Sequence, residues 1–171
     1  MMRGIYLLLG SNIGQRRANL AQVCELIDKQ AGPVKMVSSI YETEPWGKSN
    51  QQHFLNQALQ INTSLSPLKL LETIHRIESK LGRIRYQKWA ERIIDVDILY
   101  YENKVIKSDL LTIPHPELHN RKFALVPLVE IAPLFNHPVL EKTSMELLHE
   151  CTDVLGVKKL TDYIPLTSAS G

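Results

Sequence analysis

Two aspartates stand two positions apart in the run Arg92-Ile93-Ile94-Asp95-Val96-Asp97-Ile98-Leu99. In a strand, alternate residues face the same way. Ile94, Val96 and Ile98 then take the core face, and Asp95 and Asp97 share the other. Two carboxylates side by side repel each other unless a cation lies between them. Hard oxygen donors of this kind suit magnesium held together with substrate phosphates. Two metal ions about 3.5–4 Å apart are within the reach of such a pair. The spacing also fits an exposed strand face with two solvated aspartates. Aspartate is depleted in strands, which favours the metal.

A basic loop lies just upstream. Arg83, Arg85, Lys88 and Arg92 face only Glu91, a local charge of +3 against +2 for the whole chain. Beside a diacid, such a loop would grip triphosphate oxygens and stabilise charge during transfer; on its own it would be a solvated loop. His115 sits between Pro114 and Pro116 in a stiff segment, and Arg121 follows six residues on. Both are candidates for phosphate contact, although a single loop histidine is as readily structural. His53, His75, His119, His137 and His149 take that structural reading, with His75 near the proposed nucleotide side. Trp46, Phe54, Trp89 and Phe123 are loop-associated aromatics suited to a flat heterocycle, or to core packing. Asn56, two residues after Phe54 in a strand, puts an amide on the same face. Gly47-Lys48-Ser49 resembles the end of a phosphate-binding loop, but the required first glycine falls on Glu42. No protein-kinase catalytic triplet is present.

The elements that must position these residues follow from pattern. Ile5 to Leu9 reads as a buried strand ended by Gly10-Ser11-Asn12, with a helix from Gln15 to Gln30. Val34 to Tyr41 reads as a strand, Thr43 to Asn50 as a loop and Phe54 to Asn62 as another strand. A helix starts with Ser66 as N-cap and Pro67 as its first residue, and stops at Gly82. Ile94 to Tyr101 is a strand, Val105-Ile106 and Leu111 to Pro114 are short extended pieces, Phe123 to Ile131 is partly helical, and Ser144 to Cys151 is a last short helix. This order predicts an α+β fold with a ferredoxin-like core, an antiparallel-containing sheet flanked by helices in αβα layers.

Length and composition set the limits. The chain has 171 residues, 44% hydrophobic and 22% charged, which predicts one domain over 1–171 with residues 166–171 as a frayed tail. The small net charge argues against a broad nucleic-acid or membrane field. Cys24 and Cys151 form no spaced motif, so a reducing compartment is expected. The run Ile5 to Leu9 is too short for a signal peptide or a membrane span. The expectation is a cytoplasmic monomer.

Taken together, these residues resemble the 6-hydroxymethyl-7,8-dihydropterin pyrophosphokinase family of folate biosynthesis, from about Ile5 to Pro133. The resemblance is carried by Gly10-Ser11-Asn12, Tyr41 to Gly47, Phe54-Leu55-Asn56, Ile77-Glu78, Gly82 to Arg85, Lys88 to Leu99, Pro114-His115 and Asn120 to Phe123. It implies ATP as co-substrate, two Mg2+ ions held by Asp95 and Asp97, and a pterin substrate. It further implies that Arg83, Arg92, His115 and Arg121 contact phosphates, with Arg85 and Trp89 on the same loop. Leu71, His75, Glu78 and Ile98 would border the adenosine. Thr43, Trp46, Phe54, Asn56 and Phe123 would form the pterin pocket, with Phe123 stacking and Asn56 and Asp95 meeting the pterin edge. The catalytic set is then Arg83, Arg92, Asp95 and Asp97. Glu44, Trp46, Phe54 and Pro116 depart from the familiar pattern, and the Arg85–Trp89 loop is one residue shorter; these departures bear on affinity and loop motion, not on reaction class.

The implied chemistry is attack of a hydroxymethyl oxygen on the β-phosphorus of ATP, with AMP leaving. An ordinary γ-phosphoryl kinase would leave ADP. A nucleic-acid module on a similar sheet would need an aromatic platform and a basic face, and neither is present.

Overall fold

The computed structural model describes residues 4–44, 50, 52–82 and 93–161. Strand β1 (Ile5–Ser11) leads into helix α1 (Arg16–Gln30), then β2 (Val34–Val37), β3 (Tyr41–Thr43) and β4 (Phe54–Ile61). Helix α2 (Pro67–Lys80) precedes β5 (Asp95–Tyr101). The small strands β6 (Ile106–Lys107) and β7 (Thr112–Ile113), helices α3 (Lys122–Ile131) and α4 (Ser144–Glu150), and β8 (Val157–Lys159) complete the order.

The main sheet runs β5-β1-β4-β3-β8, with β2 also paired to β4, and every pairing is antiparallel. β5 is therefore an edge strand. The two strand–helix–strand units, β1-α1-β2 and β4-α2-β5, give the expected ferredoxin-like arrangement. On one face Leu7, Leu9, Ile61, Val96 and Ile98 pack against Leu20, Val23 and Ile27 of α1 and Leu70, Ile74 and Ile77 of α2. On the other, Tyr6, Leu8, Ala58 and Leu99 pack against Ala124, Leu125 and Leu128 of α3 and Leu147 of α4. Burial of each such large apolar side chain contributes roughly 1.5–3 kcal/mol.

Local chemistry sets the boundaries. The Ser66 hydroxyl accepts from the Lys69 amide at 3.3 Å to cap α2, with Pro67 in its first turn. Thr143 and Glu146 form a reciprocal capping box on α4. The strand expected over Val34 to Tyr41 is divided in two. The Ser38 hydroxyl takes the Ala58 amide at 2.9 Å and interrupts the ladder. Val37 stands opposite Leu59 and Tyr41 opposite Asn56, so four steps on one side match three on the other. Such a bulge reverses the faces of the residues beyond it. Thr43, expected in a loop, is the last residue of β3. Strand β8, in a region with no signal in the sequence reading, pairs with β3 and shields its outer edge.

Candidate active site

Asp95 and Asp97 open β5, half-buried and on one face, as the alternation predicts. Across β1, Asp97 stands opposite Leu8 and Asp95 opposite Gly10. Gly10 in turn pairs with Asn56 of β4, and Asn56 with Tyr41 of β3. Leu8 belongs to the core under α3, so this is the α3 face of the sheet. Asn56, Gly10 and Asp95 thus form a row across three adjoining strands.

Gly10 gives this row its shape. A Cβ at this position would lie 3.1 Å from Asn56 Oδ1 and 3.8 Å from the Phe54 ring. The absent side chain leaves a recess between Asn56 and Asp95, with Asn56 Oδ1 turned towards it. The other end of that amide is committed: Asn56 Nδ2 donates to Thr43 Oγ1 at 2.8 Å, and both residues are buried. Thr43 and Phe54 are themselves a cross-strand pair. The result is an oriented amide oxygen beside an aromatic face, suited to an N–H group on the edge of a flat ring.

Helix α3 covers this face. Phe123 lies in its first turn, partly buried against the second core, and the Arg121 guanidinium sits 5.7 Å from the Phe123 ring centroid, within cation–π range. The far end of α3 is tied to β3 by Glu130. Its carboxylate accepts from the Ser39 amide at 3.0 Å, the Ser39 hydroxyl at 2.8 Å and the Tyr41 hydroxyl. Those donors hold the Glu130 carboxyl below its ordinary range against the opposing effect of burial, which is the largest single influence.

His115 runs along the outer edge of β5, its amide donating to the Leu99 carbonyl at 3.0 Å. Its Nδ1 accepts from the Glu117 amide at 3.1 Å, which places the ring proton on Nε2. Burial first, then the Arg121 charge, lowers its pKa to about 4 against the opposing pull of Asp95 and Glu117. At neutral pH it is therefore an uncharged donor, electrostatically coupled to both Asp95 and Arg121.

The residues expected at an adenosine lie on the opposite face of the sheet. Leu71, His75 and Glu78 follow one stripe of α2, and Ile98 enters the core beneath that helix. Ile98 and Glu78 are buried, while Leu71 and His75 are partly exposed. Glu78 Oε1 accepts from the Val96 amide at 3.1 Å. A recess of about 540 Å³, bordered by Leu65, Lys69, Glu72, Thr73, His75 and Arg76, shares only His75 with the expected set. Arg83, Arg85, Trp89, Arg92 and Trp46 lie outside the described residues.

Of the expected residues, Asp95, Asp97, Thr43, Phe54, Asn56, Phe123, Arg121 and His115 are brought to the α3 face and the adjoining edge of β5. Gly10, expected to end the first strand and noted in the family signature, instead lies within β1 and is paired on both sides. The sequence reading missed Glu130, because an acid in a mostly apolar helix gives no hint of its distant partners. Burial, assisted by Asp28, pushes the Cys24 thiol up to about 11, which disfavours the thiolate.

Residues 6–133 match the family of 7,8-dihydro-6-hydroxymethylpterin-pyrophosphokinase (HPPK). The chain is 40% identical over 151 residues to the 2-amino-4-hydroxy-6-hydroxymethyldihydropteridine pyrophosphokinase of Aquifex aeolicus, covering 88% of this chain and 94% of that protein. It is 46% identical over 127 residues to the enzyme of the same name from Bacillus subtilis, covering 74% and 76%. In structure it resembles an HPPK-DHPS crystallised in complex with substrates, with a TM-score of 0.68 and 18% identity over 86% of this chain. This chain spans 43% of that longer one, and the likeness there is one of fold. With three quarters of its residues inside the family match and near full-length relatives at this identity, the chain belongs to the 7,8-dihydro-6-hydroxymethylpterin-pyrophosphokinase family.

Proposed function

We propose that the α3 face of the sheet is where this chain transfers pyrophosphate from ATP to 6-hydroxymethyl-7,8-dihydropterin, giving the pterin diphosphate and AMP in tetrahydrofolate biosynthesis. The observation that carries this reading is the row Asn56–Gly10–Asp95. It sets an oriented amide, a glycine recess and a carboxylate side by side, with Asp97 next along the strand.

The donor set fits magnesium. Among the described residues, no three His, Cys, Asp or Glu side chains come together to hold a metal. Two carboxylates leave most of an octahedral shell to phosphate oxygens and water, as magnesium prefers. Asp95 and Asp97 would hold two such ions, which when bound offset the triphosphate charge and align it.

The protein's own groups supply position. Asn56 and Thr43 orient the pterin edge, Phe54 and Phe123 flank its ring, and Trp46 borders it. Asp95 and Asp97 face one way on β5, whereas Leu71, His75 and Ile98 lie on the other side of that strand. β5 is a sheet edge, so a nucleotide can cross it with its base over α2 and its phosphates towards Asp95. His115 Nε2–H, Arg121, Arg83 and Arg92 then meet the phosphates, with Arg85 and Trp89 contributing to the nucleotide site from the same loop as Arg83. Such hydrogen-bond donors and arginine charges suit a transfer that depends mainly on geometry and electrostatics. The hydroxymethyl oxygen attacks the β-phosphorus as the bond from that phosphorus to the α,β-bridging oxygen breaks; AMP departs with that oxygen, and the hydroxyl proton passes to solvent.

The same reading makes the chain a single-domain, cytoplasmic monomer. Among the described residues, no helix is long and apolar enough to cross a membrane.

The test is to incubate the protein with ATP, magnesium and the pterin alcohol and separate the nucleotides. AMP is expected in step with pterin diphosphate; ADP would mark a γ-phosphoryl kinase. Asp95→Ala and Asp97→Ala should each abolish turnover with the circular-dichroism spectrum intact. Near-normal turnover in either would refute the metal role.

A further inference from the structure

The ladder that carries the two aspartates is paired on one side only along the described residues. Among the described residues β5 lies at the sheet edge, with β1 as its partner in the main sheet. Their register shifts between Tyr6 and Leu7, and the last pair is Gly10 with Asp95. A slip of one residue beyond that bulge would turn Asp95 and Asp97 to the opposite face. The packing of Val96 and Ile98 into the core opposes such a slip, and contacts beyond the final pair add to that hold.

The Ile93 carbonyl, two residues before Asp95, is held from outside the ladder. The buried Ser11 hydroxyl donates to it at 2.5 Å. The Asn19 amide of α1 donates to the same oxygen at 3.3 Å, to Ser11 Oγ at 3.1 Å and to the Ile13 carbonyl at 3.0 Å. One side chain therefore joins the end of β1, the turn before α1 and the entry to β5. Ile93 also meets the end of α2's exit turn: a Cβ on Gly82 would lie 3.4 Å from Ile93 Cδ1.

We propose that Asn19 is a positioning residue for the diacid, clamping the Ile93 carbonyl with Ser11 so that Asp95 stays level with Gly10. The Asn19 amide bonds Ser11, Ile13 and Ile93, so the role inferred for it is one of position. The proposal rests on the reading of Asp95 and Asp97 as metal ligands, and nothing in the family match assigns Asn19 this role.

The test measures Mn2+ binding by electron paramagnetic resonance in the presence of α,β-methylene-ATP, for wild type, Asn19→Ala, Ser11→Ala and Asp95→Asn. Asn19→Ala is expected to raise the Kd for Mn2+ at least fivefold, while metal-free nucleotide binding in EDTA stays within twofold. Ser11→Ala, which removes the shorter bond to the same carbonyl, should move the Kd in the same direction. A lowered melting temperature with an unchanged Mn2+ Kd would overturn the proposal, because the clamp would then serve stability alone. Failure of both clamp variants to fold would overturn it for the same reason. Asp95→Asn separates the two ideas. If it leaves the Kd unchanged, the metal reading fails; if it raises the Kd and Asn19→Ala does not, only the clamp fails.

Discussion

Glu78 Oε1 accepts a hydrogen bond from the Val96 amide at 3.1 Å, and Val96 is the residue between Asp95 and Asp97. The bond comes from α2, across the edge of the sheet. It holds the backbone of the diacid from the side opposite β1. A buried carboxylate is costly unless its oxygens have partners, and the Val96 amide is one such partner for Glu78.

Glu78→Leu should therefore do more than lower stability. It leaves a buried backbone amide without its acceptor, at a cost of about 1–3 kcal/mol, and frees the strand segment bearing both aspartates. We expect kcat to fall more than tenfold in protein that is still folded at the assay temperature. Steady-state kinetics beside a melting curve checks this; a kcat within twofold of wild type would contradict it.

Gly10→Ala is expected to act on the pterin and spare the nucleotide. The new Cβ would stand 3.1 Å from Asn56 Oδ1, so the amide must shift by a few tenths of an ångström. Its bond to Thr43 resists that shift. The methyl also fills the recess where the ring edge would lie. The KM for the pterin should rise about tenfold or more, in line with one disturbed contact and lost space, with the KM for ATP within twofold. Equal effects on both substrates would place the recess elsewhere.

His137 should give stability a pH dependence below neutrality. The ring is buried, and its Nδ1 accepts from the Val139 amide at 3.2 Å and the Leu140 amide at 3.1 Å. Burial, helped by the nearby His119 charge, lowers its pKa to about 4, whereas in the unfolded chain it titrates near 6.5. The unfolded state therefore takes up the proton first on acidification. Stability from this group is complete above about pH 6.5 and is lost as pH falls towards 4, by on the order of 2–3 kcal/mol. His115 adds a loss in the same window. His137→Asn, which keeps an acceptor but has no proton to gain, should flatten part of that slope in urea denaturation measured from pH 4 to 7. An unchanged slope would assign it to other groups.

The diacid was legible from sequence because strand alternation is local: Val96 and Ile98 had to be inside, which turned Asp95 and Asp97 together. α2 was legible because Ser66, Pro67 and Gly82 mark its ends. The divided strand at Ser38 was not, because its cause is a hydroxyl bonded to Ala58 on another strand. Nor was β8, which pairs along the edge of β3, a strand distant in sequence. The supporting shell of the site was hidden in the same way. Asn19 to Ile93, Glu78 to Val96 and Glu130 to Tyr41 are contacts between distant positions, and single-residue character does not announce them. The face of the site followed from periodicity; its support depends on tertiary structure.

The central claim is that Asp95 and Asp97 jointly receive divalent cations on the α3 face. Crystals grown with Mn2+ and α,β-methylene-ATP, measured for manganese anomalous scattering, test it directly. The account predicts anomalous peaks in direct contact with carboxylate oxygens of both Asp95 and Asp97, at about 2.0–2.3 Å as for small hard cations. Manganese bound to the nucleotide with neither carboxylate in its coordination shell would contradict it.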